Sequence, residues 1–183
     1  MNTEDRLLTC LWFTGEQAEA AATHYVETFA RFCPDSALGT VTRAPLDLVD
    51  RDGEFRAENR REGDDVHVEQ GRVLMVEFTL DGRPFIEMDD NRSGRTFTDA
   101  TSFQVICEDQ AEVDHFWDRL TAGGEEVMCG WLKDRFGVSW QVVPRLLMKL
   151  MSGADREAAG RVQRQMMSMV KLDLAPLETA ARG

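Results

Sequence analysis

One order of elements occurs twice along this chain, and the repetition limits its fold more than any composition figure does. In the first half, Leu7 to Phe13 (LLTCLWF) is an apolar run of strand formers ending at Thr14-Gly15. The segment Glu16 to Ala30 then places Ala18, Ala21, Ala22, Tyr25, Val26 and Phe29 three and four residues apart, the spacing of one buried helical face. Cys33-Pro34-Asp35 stops that helix, and Ala37 to Thr42 reads as a second strand. Val73 to Leu80 and Pro84 to Met88 flank Asp81-Gly82, a hairpin turn signal. After a polar break from Asp89 to Asp99 the opening pattern returns. Thr101 to Cys107 is a strand, and Asp109 to Ala122 is an amphipathic helix with Ala111, Val113, Phe116, Trp117 and Leu120 apolar, ended by Gly123-Gly124. Glu125 to Met128 and Val138 to Val143 are further strands, with Gly130 to Gly137 between them as a hairpin.

Each half is therefore a βαβββ unit: a small sheet with one helix on its back, too little to bury a core alone. Two such units side by side are expected to form a curved mixed sheet around a cleft, an α+β architecture, and concave seams of that kind hold small ligands. The paired modules are expected over 1–144, the first at about 7–90 and the second at about 100–144. The first is lengthened by Ala44 to Gly71, where acidic and basic residues interleave with few apolar ones. That segment reads as a solvated loop or hairpin extension, either a mobile insertion or a lid or subunit-contacting arm. A helical extension over 145–183 follows. Arg145 to Met151 and Asp155 to Val170 carry Leu146, Leu147, Leu150, Met151, Val162, Met166, Met169 and Val170 at helical spacing, with Asp155 as the N-cap. The Met stripe is read as core or subunit contact.

With 21 Lys+Arg against 33 Asp+Glu in 183 residues, the net charge is −12. An acidic protein of this kind is not expected to bind nucleic acid or an anionic membrane, because both draw on Lys and Arg to neutralise phosphate. No apolar run approaches the roughly 20 residues that span a bilayer, and the acidic start lacks a signal peptide's basic region, so the expected address is the cytoplasm. Cys10, Cys33, Cys107 and Cys129 form no CxxC pair, which argues against a zinc knuckle or redox motif and for reduced, mostly buried thiols.

Four stretches carry a family resemblance: Leu11-Trp12-Phe13, Glu77 to Phe85 (EFTLDGRPF), Cys107 to Val113 (CEDQAEV) and Cys129 to Gln141 (CGWLKDRFGVSWQ). Together with the tandem βαβββ order, they resemble the PhnB-like branch of the vicinal oxygen chelate superfamily, which includes glyoxalases, bleomycin-resistance proteins and ring-cleaving dioxygenases. Members of that branch are often labelled demethylubiquinone methyltransferases. The residues argue against a methyltransferase using S-adenosylmethionine. The sequence has no GxG, so the glycine-rich turn that lets a nucleotide-like cofactor approach the backbone is missing.

In metal-using relatives, the resemblance implies, four side chains on the inner sheet faces hold one divalent ion. Carried over, these positions fall on Cys10, Glu87, Ser102 and Gln141. Glu87 is the one strong ligand for a hard cation among them, so no bound metal or other cofactor is expected, with a divalent ion left open as the alternative. His24 and His115 fall in helices and His67 in the insertion, so the two-His, one-carboxylate set of an iron dioxygenase cannot be assembled. Glu87 is the candidate general base, with Gln141 as its catalytic partner. Gln104 and Gln141 are amides in otherwise apolar strands and need partners. Cys10, Trp12, Ser102, Gln104, Trp131 and Trp140 are the candidate ligand-binding residues, the indoles lining an apolar pocket or filling core. The expected function is an enzyme acting on a small organic molecule by proton transfer, isomerisation or lyase-type chemistry. The alternatives are a non-catalytic ligand-sequestering protein and a purely structural dimer. Homodimerisation is carried over from the resemblance.

Overall fold

The structure is a computed structural model that describes residues 7–46, 48–49, 67–90 and 96–183. It divides into two compact units, Met1–Arg95 and Thr96–Gly183, each built around its own four-stranded sheet.

In the first unit, β1 (Thr9–Thr14) leads into α1 (Ala18–Phe29), followed by β2 (Ala37–Arg43), β3 (Leu48–Val49), β4 (His67–Val68), β5 (Val73–Leu80) and β6 (Arg83–Asp90). The main sheet has the order β1-β6-β5-β2, with β1 parallel to β6 and the other pairs antiparallel. The Asp81-Gly82 turn joins β5 to β6 as the sequence predicts, both residues having positive φ. One side of the sheet is covered by α1, whose Ala18, Ala21, Ala22, Tyr25 and Phe29 are buried. Alanines at the first turns let the helix lie close to the strands, and Tyr25 packs its ring 6.5 Å from that of Phe78. The insertion leaves β2 and returns to β5 through the antiparallel β3–β4 pair, which is the expected hairpin extension at its base. The reading of 51–66 as lid or arm lies outside the described residues.

The second unit repeats the topology. Its elements are β7 (Phe103–Cys107), α2 (Gln110–Thr121), β8 (Glu125–Glu126), a 3-10 turn at Met128–Gly130, β9 (Trp131–Lys133) and β10 (Ser139–Pro144). The sheet order β7-β10-β9-β8 is that of the first unit strand for strand. Asp109 caps α2 by accepting the Glu112 N–H at 3.0 Å. The apolar stripe Val113, Phe116, Trp117 and Leu120 faces the sheet. The expected strand Glu125 to Met128 is cut to two residues because the chain turns at Met128 to dock on the C-terminal segment: Cys129 and Gly130 donate to the carbonyls of Met169 and Val170, each at 2.8 Å. Gly130 has a φ of +80, and a Cβ there would stand 2.7 Å from the Val142 carbonyl oxygen, so a side chain is excluded.

Three helices complete this unit: α3 (Arg145–Ser152), α4 (Arg156–Met167) and α5 (Leu174–Arg182). Asp155 caps α4 as expected, accepting from the Glu157 and Ala158 amides. The helix α5 falls inside the helical extension expected over 145–183, although no segment of its own was assigned to it. Pro176 obscures it in the sequence, yet a proline in the first turn of a helix removes no intrahelical hydrogen bond. Leu147, Val162, Met169, Leu172 and Leu177 form a core with Val143 of the sheet, and Leu150, Met151 and Met166 pack against it. Most of the apolar stripe is thus core, while Val170 stays exposed. Among the described residues, no helix is long and apolar enough to cross a membrane.

Candidate ligand-binding site

In each sheet one face packs on the helix that follows its first strand, so the question for every predicted residue is which face it occupies. Side chains alternate along a strand, and paired residues on neighbouring strands share a face.

In the first unit, Phe78 and Phe85 are register partners and their rings stack at 5.2 Å on the α1 side. Glu87 lies two residues beyond Phe85 and pairs with Val76 and Leu11, so it shares that face and is 0% exposed. Asp89 follows on the same side and accepts the Gln17 and Ala18 amides at 3.1 and 3.0 Å, placing a carboxylate at the start of α1 where the helix dipole favours it. Cys10 pairs with Ile86 and Trp12 with Met88, which puts them on the opposite, open face. Glu77 pairs with Ile86 and Met75 with Met88, so the open face carries Cys10, Trp12, Met75, Glu77, Ile86 and Met88. Partial desolvation raises the Cys10 thiol above the ordinary cysteine pKa, which keeps it protonated and a poor nucleophile near neutral pH.

In the second unit, Trp140 belongs to the α2 side. It is 2% exposed, its ring lies 5.2 Å from that of Phe103, and its indole N–H donates to Asp134 Oδ2 at 2.8 Å. Asp134 Oδ1 also accepts the Phe136 and Val138 amides, both at 2.9 Å, so one buried carboxylate closes the β9–β10 turn and anchors the indole. The opposite face carries a row of polar side chains. Gln104 and Gln141 are register partners on β7 and β10, and Gln104 Nε2 donates to Gln141 Oε1 at 3.3 Å. Gln141 Nε2 in turn donates to Ser102 Oγ at 2.8 Å. Trp131, the partner of Gln141 on β9, flanks the row. Farther along this face, Val143 and Ile106 are taken up by the core of the C-terminal helices.

Residues 5–143 match the family model described as 3-demethylubiquinone-9 3-methyltransferase. The chain belongs to this family, to which the PhnB proteins are related. The PhnB protein from Bacillus cereus is 28% identical, with a TM-score of 0.57 over 76% of this chain and 99% of that one. Protein PA1353 from Pseudomonas aeruginosa is 16% identical, with a TM-score of 0.48 over 75% of this chain and 97% of that one. The fosfomycin resistance protein FosX from Mesorhizobium loti is 10% identical, with a TM-score of 0.40 over 76% of this chain and 91% of that one. No curated protein matches the chain. The PhnB-like reading and the tandem βαβββ order expected from the sequence both hold.

Against this PhnB-like frame the predicted site residues separate. Ser102, Gln104 and Gln141 are brought together, with Trp131 beside them. Cys10 and Trp12 share the open face of the first sheet. Trp140 is corrected to a core residue, since its indole is consumed by Asp134 and Phe103. Glu87 is corrected as well. The repeat match that set it beside Gln141 is one residue out of phase, and a one-residue slip moves a side chain to the other face. Cys10 and Glu87 therefore point to opposite sides of one sheet and cannot ligate a common ion. Gln141 and Ser102 spend an amide hydrogen and an oxygen on each other. The donor set carried over from metal-using relatives does not fit a metal, and among the described residues no group of three or more His, Cys, Asp or Glu is placed to hold one. The cysteines are less buried than expected: Cys107 is buried, Cys33 and Cys129 are intermediate and Cys10 is exposed.

Two polar residues were overlooked. Glu77 stands between Val76 and Phe78, so strict alternation in VLMVEFTL already sets it opposite the apolar face. Lys133 sits in the segment read as a hairpin turn, although it ends β9 and pairs with Ser139.

Proposed function

We propose that this family member binds a small organic molecule on the open face of the second sheet, with Ser102, Gln104 and Gln141 as its hydrogen-bonding row and Trp131 as its apolar flank. The observation that carries this reading is the bonded row itself. Three polar side chains, Gln104 and Gln141 from paired strands and Ser102 from the residue before β7, converge on the face away from α2, with Gln104 still exposed to solvent. A planar indole beside amide and hydroxyl groups suits recognition of a flat molecule by stacking and a few directed hydrogen bonds. Binding without chemistry is favoured over the Glu87-based mechanism, because a carboxylate enclosed between the sheet and α1 cannot reach a proton on a ligand at the open face.

A second reading keeps catalysis and assigns the base to Glu77, the carboxylate that shares the open face of the first sheet with Cys10, Trp12 and Ile86. Homodimerisation belongs to the same proposal. Exposed Val127, Met128 and Val170 supply apolar surface where the 3-10 turn docks on Met169 and Val170.

A thermal-shift screen of small molecules against the full chain tests both readings. Ligands that raise Tm should lose their effect on Gln141→Leu and keep it on Glu87→Gln. Loss on Glu87→Gln with retention on Gln141→Leu would refute the assignment. Conversion to product of a ligand whose Tm shift survives Gln141→Leu, abolished in Glu77→Gln with affinity retained, would establish the catalytic reading on the first sheet.

A further inference from the structure

Ser139 opens β10 and, by alternation, shares the face of Gln141. It is 2% exposed, and its Oγ makes no hydrogen bond among the described residues. Native proteins keep few such groups, because burying a hydroxyl without a partner is unfavourable, and each one calls for an explanation. Its register partner is Lys133, half-buried and, among the described residues, in no ion pair. Glu125, the partner of Lys133 on the edge strand, is exposed and forms no ion pair with it.

The hydrogen-bonding balance of this face is one-sided. Ser102 Oγ already accepts from Gln141, so its own hydrogen points elsewhere. The Ser139 hydroxyl, the Lys133 ammonium and the second amide hydrogens of Gln104 and Gln141 are donors as well. Gln141 Oε1 is engaged by Gln104, leaving Gln104 Oε1 as the uncommitted amide acceptor. A face rich in donors, with the Lys133 ammonium opposite the exposed Glu125 carboxylate at its edge and an indole flank, complements a molecule that presents acceptor oxygens on a planar skeleton.

We propose that Ser139 and Lys133 receive an acceptor oxygen of the ligand, a carboxylate or a conjugated carbonyl, whose planar body lies against Trp131. Resting on the reading under Proposed function, this adds the ligand's chemical class and two recognition residues. Trp131, Lys133 and Gln141 are all half-buried around the enclosed Ser139 hydroxyl, so a ligand lying on them would meet that hydroxyl only by displacing the Lys133 side chain.

The test is isothermal titration of the full chain with benzoate, benzamide and benzylamine, with Tm recorded for every variant. Benzoate is expected to bind, benzamide more weakly, and benzylamine, which offers no acceptor oxygen, not at all. Ser139→Ala should weaken benzoate and benzamide by about tenfold, the loss of one hydrogen bond to the ligand. It should leave Tm unchanged or raised, because it deletes a hydroxyl the fold does not satisfy. Lys133→Met should weaken benzoate and spare benzamide. A lower Tm in Ser139→Ala would give the hydroxyl a structural role and overturn the proposal. Preferential binding of benzylamine, abolished by Gln141→Leu, would overturn it while leaving the reading of the polar row intact. Binding of benzoate indifferent to Ser139→Ala and Lys133→Met would overturn it too, and failure of all three probes to bind would count against both.

Discussion

The two sheets have the same strand order and the same parallel pairing of first and last strand, yet they place their buried carboxylates differently. In the first unit, Glu87 and Asp89 lie between sheet and helix, and Asp89 ties β6 to the start of α1. In the second, Asp134 sits in the turn between β9 and β10 and holds two backbone amides and the Trp140 indole. The open faces diverge in the same way. The first carries Trp12, two methionines and Glu77, while the second carries amides, hydroxyls and Lys133. One topology thus leaves both the position of a stabilising carboxylate and the chemistry of the open face free to vary. The CGWLKDRFGVSWQ stretch that made the family recognisable is largely a folding device, since its Asp, Gly and second Trp close and anchor a turn. Its Trp131, Lys133 and Gln141 lie on the face away from α2, where the ligand is proposed to bind.

The largest expected effect of breaking this contrast is at Asp134. Asp134→Ala strands three donors in the β9–β10 turn and should destabilise the protein by about 3 kcal/mol or more, read from urea unfolding. Asp134→Asn, which keeps one acceptor oxygen, should cost less. In the first unit Asp89→Ala removes a cap rather than a buried network and should cost about 1–2 kcal/mol, with faster amide exchange at the start of α1 and none of the change in β10. Equal losses at the two sites would mean that the carboxylates are equivalent after all.

The smallest effect concerns pH. Lys171 bonds to Asp114 of α2 and pairs with Asp173, while Gln110 bridges Asp114, Asp173 and the Leu174 amide, tying α5 to α2. The hydrogen bond from Lys171, followed by that from Gln110, lowers the Asp114 pKa, and the hydrogen bond to Asp114 raises that of Lys171. The Asp114 contribution is complete above its unfolded pKa of about 3.9 and is lost as pH falls through its lowered folded value. The Lys171 contribution is complete below its unfolded pKa of about 10.4 and is lost as pH rises through its raised folded value. Both groups are substantially solvated, so Asp114→Asn should reduce stability by no more than about 1 kcal/mol between these limits, with no effect on the first unit.

Most of the architecture was legible from periodicity. The steps of three and four in 16–30 and 109–122, the Asp81-Gly82 turn and the Asp155 cap each have a local cause that tertiary context did not override. The elements that misled are those where a distant segment intervened. The strand after Gly124 stops early because the 3-10 turn docks on Met169 and Val170, and α5 is stabilised by a core that its own sequence does not announce.

The candidate site shows the same division more sharply. Alternation by itself established that Phe85 and Glu87 share one face of a strand and Ile86 and Met88 the other. Only packing decided which of those faces meets the helix. Phe85 stacks on Phe78 beneath Tyr25, and burying those rings carries Glu87 inward and leaves Ile86 outside. A strand's period of two comes from backbone geometry within a few residues, and so it is written in the sequence. The assignment of inside and outside depends on which apolar surfaces find each other across the fold, and that free energy exists only once the elements are assembled.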